Sequence, residues 1–149
     1  MAPRFFEEFE VGTTHRFGSY EVRKDEMVAF AERYDPQSFH VDEAAARESM
    51  YGGLIASGWY TGAVAMRMVV DELLRDAAVL GAVGLDELRW VRPVRPGDVL
   101  SETVEVLDTR PSESHPDRGY VRIGTTVENQ DDEPVLTMES VVMFGRRER

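Results

Sequence analysis

The chain has 149 residues, 17 basic and 28 acidic side chains, a formal charge of -11, 42% hydrophobic residues and no cysteine. It is therefore expected to form a single globular domain over 1–149, long enough to bury roughly 68–70% of its unfolded surface without a disulfide or structural metal. Cysteine nucleophiles, thiolate metal sites and disulfide frameworks are excluded, and the acidic balance argues against a nucleic-acid partner, which would require a broad basic face.

The first residues are acidic and carry no apolar core of a secretory signal, so a cytoplasmic location is expected. Residues 13–22 read as a first strand. Over 25–34, Met27, Phe30, Ala31 and Tyr34 recur at helical spacing. Pro36 ends that helix, because it biases Asp35 away from the α region. Asp42 reads as the N-cap of a short Ala-rich helix to about Met50, which Gly52-Gly53 breaks.

A long helix is expected over 57–80, its first half buried nearly all round, since Arg67 is its one charge between Gly58 and Val70. Arg67, Asp71 and Glu72 interrupt the apolar run, so no membrane span is expected. Four strands follow at period 2, over 88–94, 99–107, 120–129 and 135–144, joined by turn-like segments such as Pro96-Gly97-Asp98. In the third, Val121, Ile123, Thr125 and Val127 alternate with Arg122, Gly124, Thr126 and Glu128. A buried helix followed by an antiparallel meander predicts an α+β architecture, a curved sheet wrapped around the helix. Its long edges favour edge-to-edge pairing into a homodimer.

Three segments carry chemistry-bearing residues. Tyr34-Asp35-Pro36-Gln37-Ser38-Phe39-His40 sets a carboxylate and an imidazole on either side of a proline-fixed turn. Asp35 at a helix C-terminus faces the negative end of the dipole, which predicts a raised pKa suited to acid–base work. The same residues also suit an ordinary turn cap and a core histidine. Gly52-Gly53-Leu54-Ile55-Ala56-Ser57-Gly58-Trp59 leads into the long helix, whose first N–H groups lack intrahelical acceptors. Beside Gly58 they can bind an oxygen that becomes negative, or simply follow an N-cap Ser57. Arg89, Arg92 and Arg95 form a local basic cluster able to hold phosphates or to keep a strand edge solvated. His40-Val41-Asp42 lacks a third metal ligand, and neither a dinucleotide fingerprint nor a P-loop is present.

In this order, Asp35-Pro36-Gln37-x-Phe39-His40-x-Asp42, Gly53-Leu54-Ile55-Ala56-Ser57-Gly58-Trp59 and Arg89-Trp90-x-Arg92-Pro93-Val94-x-Pro96-Gly97-Asp98 resemble the MaoC-like acyl dehydratases, close to the (R)-specific enoyl-CoA hydratases. The resemblance implies a hotdog fold, a homodimer or higher assembly of dimers, and an acyl-CoA substrate, with coenzyme A part of the substrate rather than a cofactor. It implies Asp35 and His40 as the pair that activates water and Gly58 as oxyanion donor. Ser57, Trp59 and Gln37 would contact substrate, and Arg89, Arg92 and Arg95 would steer the coenzyme A phosphates. The usual Asp-x-Asn-Pro-x-His order is altered here, and Ala65 and Met66 stand where some hydratases are polar, which leaves Gln37 or Tyr34 to support the pair. A hotdog thioesterase would place a carboxylate on the central helix, where this chain has none before Asp71. A non-catalytic acyl-thioester-binding subunit is the third alternative.

Overall fold

The computed structural model describes residues 4–147. After a short 3-10 turn at Phe6–Glu8 come β1 (Thr14–Glu21), α1 (Lys24–Tyr34), α2 (Ser38–Val41), α3 (Glu43–Glu48) and α4 (Gly58–Val69). A π-helical turn at Val70–Leu74 leads to β2 (Val79–Trp90), β3 (Val99–Pro111), β4 (Arg118–Glu128) and β5 (Pro134–Gly145). The strands form one antiparallel sheet in the order β1-β3-β4-β5-β2. This is the expected hotdog architecture, a curved sheet against a central helix. Among the described residues no helix is long and apolar enough to cross a membrane.

The alternation read in β4 is exact: Gly119, Val121, Ile123, Thr125 and Val127 are all buried. Val127 of this strand, together with Leu100, Val135 and Leu136, supplies the floor on which Tyr60, Val64, Ala65 and Met68 of α4 pack. Burial of this apolar surface is the dominant favourable term in holding the helix on the sheet.

Two expectations are corrected. The helix expected to Leu80 ends at Val69 with one further π turn, and the strand expected over 88–94 runs over Val79–Trp90 instead. Gly81 and Gly84 imitate a helix break, and β2 shifts register against β5 at three places, including the segment where Glu87 has φ 56°. Each shift interrupts the two-residue period by which a strand is read. The second correction concerns α4, which is buried on one face rather than all round: Trp59 and Met66 are 58% and 52% exposed. They lie beside the free edge of β2, where Leu80, Val83 and Leu85 are exposed too, as is Val91 just past its end.

Candidate active site

Asp35 directly follows α1, and its backbone N–H donates to Ala31 O. The proline that ends the helix starts a tight path in which Gln37 caps the single turn of α2, and α2 carries His40 inward. The Asp42 side chain then accepts from the Ala45 N–H at 3.1 Å and starts α3, an N-cap role. His40 is 5% exposed and its Nδ1 lies 2.8 Å from Ile55 O. A carbonyl only accepts, so Nδ1 carries the proton and Nε2 is left as an acceptor. That nitrogen faces Asp35 Oδ2 at 3.4 Å.

Two donors fix the Asp35 carboxylate: the Ser57 hydroxyl to Oδ2 and the Gln37 amide to Oδ1, both at 2.7 Å. These bonds reverse the expected titration of Asp35. Its pKa is lowered, chiefly by the Ser57 hydrogen bond, with burial acting in the opposite sense and the Gln37 hydrogen bond adding to the lowering. Hydrogen bonds to the charged form lower a carboxyl pKa, the opposite sense to that expected from the helix dipole. Asp35 is therefore held as an acceptor-only carboxylate. Gln37 thus makes the supporting contact left open between it and Tyr34, which is exposed and lies against Phe30.

Ser57 is fully buried and serves two elements at once, accepting from the Trp59 N–H at 3.2 Å as N-cap of α4 while donating to Asp35. Its hydroxyl is directed at Asp35 rather than toward an open substrate position. Gly58, the first residue of α4, has no intrahelical acceptor for its N–H. The Trp90 indole N–H donates to Gly58 O at 2.8 Å, and a Cβ at Gly58 would overlap the indole ring. Glycine is thus required for the close approach of Trp90, which also stacks edge-on against Trp59. Asp35, His40, Ser57 and Gln37 converge, with Gly58 adjacent to Ser57 in the chain.

The basic cluster is not one surface. Arg89 pairs with Glu87 at 2.9 Å and lines a groove with Glu105 and Glu139. Arg92 and Arg95 line a different groove with Asn129 and Gln130; Arg92 is 3.7 Å from Glu133, and Arg95 donates to Tyr51 O. The strand ends at Trp90 and Pro93 breaks its continuation, so period-2 geometry does not extend across the three arginines.

One chemistry-bearing residue is absent from the sequence reading. Glu102 of β3 is 1% exposed, its Oε1 has no hydrogen-bond partner among the described residues, and burial pushes its carboxyl up to about 8. Its signal is an acid between Leu100 and Val104 on the inward row of a strand, where alternation predicts an apolar residue.

The MaoC like domain model matches residues 7–130, spanning the catalytic candidates and most of the sheet. The chain belongs to the MaoC-like dehydratase family. An uncharacterized protein, YdeM, of Bacillus subtilis is 31% identical over 140 residues, covering 94% of this chain and 98% of that protein. A 3-hydroxybutyryl-CoA dehydratase of Methylorubrum extorquens is 31% identical over 145 residues, covering 97% and 86%. Among solved structures, a MaoC-like dehydratase from Rhodospirillum rubrum is 39% identical, with TM-score 0.88, covering 97% of this chain and 99% of that one. The hotdog architecture of this MaoC-like chain is thus shared by a relative along nearly its whole length.

Proposed function

We propose that the protein adds water reversibly across the C2–C3 double bond of a trans-2-enoyl-CoA thioester, giving a 3-hydroxyacyl-CoA. The observation that carries this reading is the pairing of an ionised Asp35 with a His40 whose Nε2 is presented as an acceptor, 3.4 Å away. Such a pair can accept both hydrogen bonds of one water and direct its lone pair at C3. As the water oxygen bonds to C3, the pair takes its proton and the π electrons move through C2 to the thioester oxygen. The Gly58 N–H holds that oxygen as it becomes negative. C2 then collects a proton from the pair, so the net change is one water added, and dehydration is the reverse. The family match and the dehydratase relative support the reaction class.

The test is loss of enoyl absorbance with crotonyl-, hexenoyl-, octenoyl-, decenoyl- and mesaconyl-CoA. Hydration of at least one ester is expected. Silence across the panel with release of free thiol would replace this reading with a thioesterase, and silence in both would end it in favour of a binding subunit.

The working unit is read as a homodimer joined through the free edge of β2. That edge and the outer face of α4 together expose Trp59, Met66, Leu80, Val83, Leu85 and Val91, an apolar area of the kind that marks an interface. Sedimentation equilibrium should give twice the chain mass, and Val83→Lys with Leu85→Lys should shift it toward monomer. A monomeric wild-type protein at micromolar concentration would sink this assembly.

A further inference from the structure

An apolar cavity of about 370 Å³ lies beside α4, walled by Ala65, Val69 and Met138 and, at the face read above as the dimer contact, by Met66 and Leu85; it contains three polar side chains, Glu102, Thr125 and Ser140. Its volume falls in the range of small-molecule pockets, roughly 300–1,000 Å³. The position of this cavity relative to Gly58 is set by helix geometry. Gly58, Gly62, Ala65 and Val69 recur at helical spacing along one face of α4; Trp90 covers that face at Gly58, and beyond it a Cβ at Gly62 would meet nothing within 4 Å. Ala65 is seven residues beyond Gly58, roughly 10 Å at about 1.5 Å per residue. An extended acyl chain whose thioester oxygen sits at Gly58 covers that distance with about eight carbons, at roughly 1.3 Å per carbon for tetrahedral bonds of about 1.5 Å.

An alkyl chain alone would fill such a cavity with no need for an acid. Glu102 is buried there, between Leu100 and Val104, with one carboxyl oxygen unpartnered. A buried polar atom without a partner is destabilising, and the group that removes the penalty is one that hydrogen-bonds to it. We propose that Glu102 is a specificity-determining residue, selecting acyl chains of about ten carbons that carry a hydroxyl group near the distal end over plain alkyl chains. The proposal rests on the acyl-CoA reading of the site.

The chemistry favours an uncharged oxygen. A neutral carboxyl both donates and accepts, as a hydroxyl does, so the two satisfy each other, with Thr125 and Ser140 in the same cavity. A distal carboxylate would bring two acids together in an apolar setting, and a distal ammonium would require a buried ion pair whose desolvation offsets its attraction.

Calorimetric binding of two saturated, unreactive esters, omega-hydroxydecanoyl-CoA and decanoyl-CoA, tests this without relying on turnover. The wild-type protein should bind the hydroxylated ester at least about tenfold more tightly. Glu102→Leu should abolish that ratio, and Glu102→Gln, which keeps a donor and an acceptor, should retain most of it; Glu102→Met serves if the leucine variant does not fold. Equal or tighter binding of decanoyl-CoA by the wild type overturns the proposal, as does a preference that survives in Glu102→Leu. Binding of neither ester while the enoyl panel is hydrated overturns the specificity alone, and failure of both assays overturns the functional reading with it.

Discussion

Asp35→Asn should lower kcat for the best enoyl-CoA substrate by about 10²–10⁴-fold, the range by which a positioned acid–base group accelerates a reaction. Asparagine nearly matches aspartate in shape, and its amide oxygen can still accept from the Ser57 hydroxyl that now donates at 2.7 Å. What it lacks is the negative charge, and with it the acceptor set that aligns water against His40 Nε2. Fold and assembly should therefore persist, visible as an unchanged circular dichroism spectrum. The lowered pKa of Asp35 has a second consequence. Its folded value lies below its unfolded one, so the wild-type protein gains stability above the unfolded pKa and loses it as pH falls through the folded value. Asp35→Asn removes that gain and should lower the melting temperature slightly at neutral pH. His40→Ala should be equally inactive but less stable, because it leaves the Ile55 carbonyl without its 2.8 Å partner. Turnover of Asp35→Asn within a factor of two of wild type would remove Asp35 from the mechanism.

Glu102→Gln is expected to stabilise the protein, increasingly so as the pH rises. The carboxyl of Glu102 is pushed from 4.5 up to about 8 by burial. Between those two values the folded chain retains a proton that the unfolded chain has released, so wild-type stability falls as pH rises through that window. At about 1.4 kcal/mol per unit, the full loss approaches roughly 5 kcal/mol. Glutamine occupies the same volume and does not titrate. Wild type and variant should have similar unfolding free energies at the acid end of the window and should diverge toward its alkaline end, as read by urea denaturation at a series of pH values. Parallel pH profiles would show that Glu102 has a partner in solution, such as a group from a second copy of the chain.

The elements carrying the catalytic candidates were legible because Pro36 and the glycine-bearing segment before α4 leave local signals that depend on few distant contacts, whereas the pairing of Asp35 with His40 was implied by the family resemblance. Pro36 restricts Asp35, and Ser57 precedes a helix start, so the elements carrying Asp35, His40 and Gly58 could be placed from neighbouring residues. What each side chain does there was less legible. A position at the helix C-terminus favours a raised Asp35 pKa, whereas Ser57, 22 residues away in the chain, and Gln37 lower it. The cluster Arg89, Arg92, Arg95 is contiguous in sequence yet divided between two grooves, since the chain leaves the sheet after Trp90.

The sequence by itself determined the alternating faces of β4, the N-cap roles of Asp42 and Ser57, the end of α1 before Pro36, and the family to which the chain belongs. Each of these follows from a short-range rule: side-chain period, capping geometry, proline sterics, or a contiguous motif. Only the tertiary structure decided where α4 ends and β2 begins, because Gly81, Gly84 and three register shifts erase the period of an edge strand. It alone decided that α4 leaves Trp59 and Met66 uncovered, since which faces a helix buries depends on where the sheet stops. It alone brought Ser57 to Asp35 and set Glu102 unpartnered in an apolar cavity, because the pKa of a carboxyl is fixed by the donors and the solvent that the whole fold places around it.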